Sequence, residues 1–528
     1  MAGAGGPGGA DSCSIARSAL AGWRWGPTGR CAGHGCRAVA GALPDGVRGL
    51  RAVGGLLCAT VLDAAGGQRS RAHRPSRGTR AGGPRGVRRL HPLPAPARER
   101  HRAGRVRIVV TAAGSRGDVQ PCAALGLGLK EAGHEVILAG WEPYRTMAES
   151  RGLAFWPVAG PDPDRLVEAL VAAGRNPFGY ARRFRPLLRP HVGQGLRDCL
   201  AACEGADAVI YTPLGFAGFM AAEHLGLPSV GSVVTPLFIR DGGFPSAMFG
   251  KPLPLPGHLY NRLSHPATEQ LYWRTVEPLV AEARREVGLP AMPRLRGPLG
   301  EMHRQKRPFL LGWSPHVLPT DGRRDAWMHT TGYWFLGREE GWRPPEKLRR
   351  FLEAGEPPVA LGLGSMGHTR ASEAGRIVSL TAEALRLAGL RGVLVSDYGD
   401  ADADLHEDVI RVPGGVPYDW LFPKVSVAVH HGGAGTTAEA LRAGTPSVVV
   451  PVVPDQQFWG WRVHALGVSP APISHKKLTA ENLSSAILQA ATDPEIRQRC
   501  ENLGSKIKAE NGVAQAVRTF ERYVQRRP

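Results

Sequence analysis

Two stretches of this chain combine reactive side chains with bare backbone at the end of a strand-like run. The first is Val425-Ser-Val-Ala-Val-His-His-Gly-Gly-Ala-Gly-Thr-Thr-Ala-Glu-Ala-Leu441. A β-branched run empties into glycines that open a helix, predicted over Thr437–Arg442. Backbone N–H groups can approach an anion there, and the helix N-terminus adds about half a positive charge. His431 can hydrogen-bond a diphosphate oxygen, and Gly433 and Gly435 leave the main chain uncovered. Thr436 and Thr437 offer hydroxyls or cap the helix. Glu439 is read into the first helical turn, where an acid complements the dipole. The same spacing also suits a tight strand-to-helix turn with no ligand.

The second stretch is Gly114-Ser-Arg-Gly-Asp-Val-Gln-Pro121, at the C-terminal end of the run Val106–Ala112. Asp118 reads as a helix N-cap, with Pro121 in the first turn. It also reads as a general base that removes the proton of an attacking alcohol. The two roles are compatible. Asp455 and Gln456 follow the strand Ser447–Val450. An acid beside an amide suits the vicinal hydroxyls of a hexose or an Asx-type turn after Pro454. Gly362-x-Gly364-x-x-Gly367 matches the dinucleotide fingerprint as a bare pattern, but its acidic partner, Asp397, comes late. Ser365 and its loop read as a second phosphate contact, and a dehydrogenase stays a minor alternative. Asp400, Asp402 and Asp404 read as a solvated loop rather than a metal site. The tryptophans are scattered without regular spacing and form no aromatic platform.

These residues need a doubly wound scaffold, and the chain supplies its pattern twice. Val106–Ala112, a helix over Val119–Ala132 and Glu135–Ala139 make an opening βαβ unit. Ala206–Tyr211 and Pro228–Val234 continue that sheet, with a helix over Ala217–Leu225 between them. Residues 240–300, rich in proline and aromatics, read as an insertion with helix near 267–287. A helix over Pro345–Ala354 leads to a second series of strands: Pro358–Leu361, Gly392–Ser396, Val409–Val412, Val425–Val429 and Ser447–Val450. Helices are predicted at Ala371–Ala388, Ala480–Ala491, Glu495–Glu510 and Ala514–Gln525. The expected fold is α/β, two Rossmann-like domains facing a cleft. Their expected bounds are 105–345 and 346–510, with 511–528 returning as a helix to the first.

The formal charge of +20 over 528 residues resembles a nucleic-acid signature. Its distribution argues otherwise, because residues 1–104 hold 17 arginines, no lysine and 4 acids, a balance of +13, which leaves +7 elsewhere. That Arg/Gly/Pro-rich arm is expected to be disordered, either a tail or a spurious extension of the reading frame. Its apolar stretch Val53–Ala65 is too short to span a membrane. No cysteine pair has C-x-x-C spacing, so neither a zinc site nor a disulfide framework follows, and a reducing, cytoplasmic setting fits.

Five motifs in family order resemble family 1 glycosyltransferases: the UDP-glucose:sterol glucosyltransferase-like branch, near the bacterial antibiotic glycosyltransferases. They are Gly114–Pro121, Gly364-Ser-Met366, Val416-Pro-Tyr-Asp-Trp-Leu-Phe-Pro423, His430–Thr437 and Asp455-Gln-Gln-Phe-Trp-Gly460. The resemblance covers about residues 105–525 and implies the GT-B fold. It implies an inverting transfer, without a cofactor or essential metal, from a UDP- or dTDP-sugar to a hydroxyl of a lipophilic acceptor. A sterol or other lipid, or an antibiotic aglycone, would fill that role. By matching position, Asp118 would be the base, where many plant relatives use a histidine that this loop lacks. His431, Gly433, Gly435 and Thr436, with Ser115 and Ser365, would meet the diphosphate. Val416, Trp420 and Glu439 would meet the nucleoside, and Asp455 and Gln456 the sugar. Gly414-Gly415 and the short Asp397-Tyr-Gly399 loop depart from the sterol enzymes, in the region of base recognition. Loops in 150–190 and 235–275 would shape the acceptor site. No nucleic-acid partner is expected, and peripheral membrane contact is compatible with the reading. The rivals are a nucleotide-sugar epimerase, and a nucleic-acid-binding protein that uses the basic arm.

Overall fold

β-Branched runs bounded by glycine turns alternate with helices along the chain, and their pairing follows from burial of both strand faces. The computed structural model describes residues 105–173, 177–249, 257–294, 296–320, 325–362, 371–396 and 405–525. The arm, Ser365, Asp397 and the Asp400–Asp404 loop lie outside these residues.

The first lobe begins with β1 (Arg107–Ala112), α1 (Arg116–Glu131), β2 (Glu135–Gly140), α2 (Arg145–Glu149) and β3 (Ala154–Pro157). It continues through α3 (Pro163–Ala173), α4 (Pro177–Cys203), β4 (Ala208–Tyr211), α5 (Phe216–His224) and β5 (Ser229–Val233). Then come α6 (Gly257–Glu286), α7 (Gly297–Gln305), β6 (Phe309–Leu311) and β7 (Met328–Thr330). Among the described residues the strands form one parallel sheet in the order β3-β2-β1-β4-β5-β6-β7. Ile108, Val109 and Val110 of β1 are fully buried, as a parallel strand covered on both faces requires.

The second lobe comprises α8 (Glu346–Glu353), β8 (Val359–Gly362), α9 (Ala371–Ala388), β9 (Gly392–Val395), β10 (Val409–Val412) and α10 (Tyr418–Leu421). It goes on with β11 (Val427–His430), α11 (Ala434–Ala443), β12 (Ser447–Val449), α12 (Pro454–Ala465), α13 (Ala480–Thr492) and α14 (Pro494–Ala509). Its sheet, β10-β9-β8-β11-β12, is also parallel.

Each sheet reverses strand order beside its first strand, between β1 and β4 and between β8 and β11. Open α/β sheets place ligands at that crevice, beyond the strand C-termini. The loops after β1 and β11 both line one cavity of about 600 Å³.

The lobes are joined by side chains as well as by chain. Phe244 meets Trp313 at 6.4 Å and Phe458 of α12 at 6.3 Å, both edge to face. Arg462 of α12 donates to the Val317 carbonyl at 2.5 Å. The last helix, α15 (Gly512–Gln525), buries Ala516, Val517 and Phe520 in the same cluster as Leu125 and Leu129 of α1. His134 and Glu521 meet at 3.3 Å beside that contact.

Two parts of the first lobe differ from the pattern read in the sequence. Residues 150–190 are largely helical rather than loops, since α3 and α4 fill them and α4 carries Pro186 and Pro190 internally. The insertion helix α6 starts ten residues before the expected 267 and contains Pro266 and Pro278. Proline inside a helix costs about 3 kcal/mol in isolation, and tertiary burial offsets it here. Among the described residues no helix is long and apolar enough to cross a membrane.

Candidate functional site

The loop after β1 exists to hold one carboxylate. Gly114 has φ +126°, a conformation L side chains avoid, and a Cβ there would lie 2.5 Å from Asp118 Oδ2. Tyr144 pins the loop by donating its hydroxyl to the Gly114 carbonyl at 3.0 Å. Ser115 caps α1, and its N–H and hydroxyl donate to Asp118 Oδ2 at 2.8 and 2.9 Å. Asp118 is therefore not the N-cap itself but the third helical residue, the acid of a capping box. Pro121 accordingly lies in the second turn. Both bonds fall on Oδ2, which leaves Oδ1 to accept from a substrate hydroxyl. Burial raises the Asp118 pKa above the usual carboxylate value, and the bonds from Ser115 oppose that rise.

The loop after β11 presents donors in place of acceptors. His430 is fully buried, and its Nδ1 accepts from Gly432 N at 3.0 Å, so it serves the turn rather than a ligand. Gly432 has φ +87°, and a Cβ there would meet Val449 Cγ1 at 2.7 Å and the Gln456 carbonyl at 2.9 Å. His431 lines the cavity, buried, with Nδ1 unpartnered among the described residues. Burial pulls its pKa down to about 4, against a bond to the Gly362 carbonyl, so the ring is neutral at pH 7. A neutral imidazole has a single N–H, so a diphosphate oxygen receives a hydrogen bond from His431 either in place of the Gly362 carbonyl or when the ring takes up a second proton on Nδ1.

α11 begins at Ala434, three residues before the expected Thr437, because Gly433 takes the extended N-cap conformation. Gly435 and Thr436 thus occupy the first turn and line the cavity, whereas Thr437 is buried off it. Glu439 becomes the sixth helical residue, in the second turn, and does not complement the dipole as the sequence suggested. It too lines the cavity. Burial lifts its pKa to about 7, with Arg442 at 2.6 Å opposing and the Asp419 charge adding.

Asp455 and Gln456 form the first turn of α12, a helix absent from the sequence reading, in place of an Asx-type turn. Gln456 Oε1 accepts from Val452 N at 2.9 Å and Val453 N at 3.2 Å. Only its amide N–H groups remain for a ligand. Burial, then the charge of Asp118 across the cleft, raises the Asp455 pKa to about 6. A native state that binds a proton more tightly than the unfolded chain loses stability as pH rises. Asp455 and Glu439 therefore weaken the fold between about pH 4 and 7, their ordinary and shifted values.

Ser115 and Val416 also line the cavity. Trp420 does not; it packs edge-on against Trp342 at 5.4 Å, with Lys424 over its ring at 4.8 Å. Trp342, on the segment joining the lobes, lines the cavity instead. Nothing in its local spacing marked it, and only the aromatic run Tyr333-Trp-Phe335 nearby signals a wall. The first-lobe end of the cavity is apolar: Leu166, Leu170, Phe184, Leu188, Phe216 and Tyr272 face it. Tyr180 stacks on Phe184 there at 4.0 Å.

Comparison with known proteins gives a consistent set of likenesses. Residues 108–237 match the glycosyltransferase family 28 N-terminal domain, and residues 397–521 the erythromycin biosynthesis protein CIII-like C-terminal domain. The chain is 36% identical over 430 residues to the O-mycaminosyltylonolide 6-deoxyallosyltransferase of Streptomyces fradiae, covering 80% of this chain and 98% of that one. It is 33% identical to the sterol 3-beta-glucosyltransferase of Candida albicans over 78% of this chain, but spans only 27% of that relative's length. Among solved structures, the kitacinnamycin glycotransferase aligns at TM-score 0.58 and 22% identity, covering 80% of this chain and 99% of that one. Glycosyltransferase VinC in complex with dTDP aligns at TM-score 0.56 and 19% identity, over 80% and 100% of the two chains. At these identities the structures establish the fold.

Proposed function

The chain belongs to family 1 of the glycosyltransferases, with the GT-B fold, and from that premise we propose an inverting transfer of a hexose. The donor is a UDP- or dTDP-sugar, and the acceptor a hydroxyl of a lipophilic molecule, a sterol-like lipid or an antibiotic aglycone. One observation carries this reading. A carboxylate of the first lobe and an anion-binding helix start of the second face a single cavity whose far end is apolar.

In this reaction Oδ1 of Asp118 takes the proton of the acceptor hydroxyl as its oxygen attacks the anomeric carbon. The carbon–oxygen bond to the diphosphate breaks, and the nucleoside diphosphate leaves with the electron pair. Attack from the face opposite the leaving group inverts the sugar carbon. The N–H groups opening α11, with Thr436 and His431, meet the charge that grows on the diphosphate. Ser115 lines the same cavity, but its N–H and hydroxyl both donate to Asp118, so it reaches the diphosphate only if the hydroxyl turns from Asp118 when the donor binds. Val416 lies against the base, Glu439 accepts from the ribose, and Asp455 and Gln456 hold the sugar. No metal has a role, so excess EDTA is expected to leave turnover within about twofold, where a metal-assisted departure would lose orders of magnitude. The free buried cysteines Cys122, Cys199, Cys203 and Cys500 fit a reducing cytoplasm, with peripheral contact to the membrane where acceptors are lipids.

The acceptor end narrows the substrate. Among the described residues, α3, α4, α5 and α6 place no charged side chain on the cavity. An acceptor carrying an ammonium group would be buried there unpaired, at a cost of several kcal/mol. A neutral acceptor is therefore expected to exceed its amine-bearing counterpart in kcat/KM by roughly 100-fold at pH 7. The gap should narrow above the amine's own pKa, and equal kcat/KM at both pH values would refute this assignment.

The test of the whole reading is incubation with UDP-glucose and dTDP-glucose and a panel of sterol and macrolide acceptors, read by mass spectrometry. An acceptor heavier by one hexosyl unit supports transfer. Epimerised sugar nucleotide with no acceptor product supports an epimerase instead.

A further inference from the structure

We infer that the segment joining the lobes completes the nucleoside site, with Trp342 as the plane on which the donor's pyrimidine stacks. This rests on the nucleotide-sugar reading above and names a residue that the family motifs in the sequence do not contain.

The cavity's order along the second lobe points to that end. Asp455 sits opposite Asp118, where transfer takes place, and Gly433, Gly435 and Thr436 follow at the opening of α11. Glu439 comes next, one turn further along the helix. Asp419 lies near enough to Glu439 to act on it through its charge, and Val416 and Trp342, which line the same cavity, pack in one cluster. A nucleoside diphosphate laid along this series puts its ribose at Glu439 and its base at Trp342.

Trp342 is built to hold a plane there. It is partly buried against the cluster that contains Val416, Leu421 and Phe422. Trp420 buttresses it edge-on at 63°, and Trp420 is itself covered by Lys424. Arg338, four residues earlier, ties the same segment to α10 through Asp419 at 3.0 Å. Glycines 414 and 415 line the same cavity without side chains, and Gly415 at φ +86° keeps its backbone turned. A flat base can stack on a ring in a cavity that such bare backbone leaves uncrowded. Trp420, the tryptophan that the motif offers, cannot serve because it is off the cavity wall.

The test uses the full-length protein and calorimetric binding of UDP, dTDP and inorganic pyrophosphate to the wild type, Trp342→Leu and Trp342→Phe. Base–aromatic stacking has a typical worth that corresponds to about 10–100-fold in Kd. Trp342→Leu is expected to weaken UDP and dTDP by that factor and leave pyrophosphate within about twofold, while Trp342→Phe recovers most of the nucleotide affinity. Unchanged nucleotide binding in Trp342→Leu overturns the inference. Equal loss for pyrophosphate also overturns it, because the residue would then support the fold and not the base. A wild type that binds neither UDP nor dTDP contradicts the nucleotide-sugar reading itself.

Discussion

Asp118→Asn is expected to lower kcat by about 10²–10⁴-fold on saturating donor and acceptor, the usual worth of a general base. The amide oxygen can still accept from Ser115 N and Oγ, so the capping box and the Gly114 turn persist. Replacing a carboxylate whose charge burial disfavours offsets the lost interaction with the helix dipole, about 0.3–1 kcal/mol. Thermal midpoint and nucleotide Kd should therefore change little. Steady-state kinetics alongside a melt separates the two effects. The wild type should also show an acid limb in kcat/KM, because protonating Asp118 removes the base. Its midpoint should lie above the ordinary carboxylate value of about 3.9, since burial disfavours the charged form. Asp118→Asn should flatten that limb. Near-normal turnover in this variant would leave Asp118 as the acid of a capping box and nothing more.

His431→Ala should act mainly on binding. A hydrogen bond to a charged phosphate is worth about 1.5–3 kcal/mol, which corresponds to roughly 10–150-fold in Kd. The ring is neutral when empty, held near pKa 4 by burial, and a bound diphosphate would draw that value upward. Donor affinity should accordingly improve as pH falls from 8 to 6 in the wild type and improve less in His431→Ala, where only protonation of Glu439 and Asp455 on the same cavity contributes. Calorimetry of UDP at both pH values checks it. His431→Gln, which keeps an N–H donor, should fall between the two. Equal UDP affinity in the wild type and His431→Ala would assign His431 to packing beneath Gly433.

The glycine-loop strands made the two-lobe fold legible, because a buried β-branched run that ends in glycine has few other uses in an α/β chain. Helix starts were less legible. α11 begins at Ala434 because Gly433 caps it, and a glycine in a sequence reads equally as loop or cap. That shift of three residues carried Glu439 from the first turn to the second. α12 was invisible for a related reason: Pro454 signals a turn in sequence, yet proline is also suited to the first helical position. α4 and α6 were obscured by internal prolines, whose cost only tertiary packing can offset. Asp118, His431 and Asp455 stood out because charged or polar residues beside glycine at a strand end are informative one by one. Trp342 did not, since its value depends on Trp420 and Asp419, some eighty residues away in sequence.

The proposed reaction requires one cleft to bring an acceptor hydroxyl in line with the anomeric carbon of a nucleotide sugar. The most direct measurement is the NMR anomeric coupling of the product formed from an α-linked UDP- or dTDP-glucose and an accepted lipophilic alcohol. In-line attack assisted by Asp118 predicts a β-glycoside, accompanied by one equivalent of nucleoside diphosphate. An α-glycoside, or an altered sugar nucleotide with no glycoside at all, would contradict it.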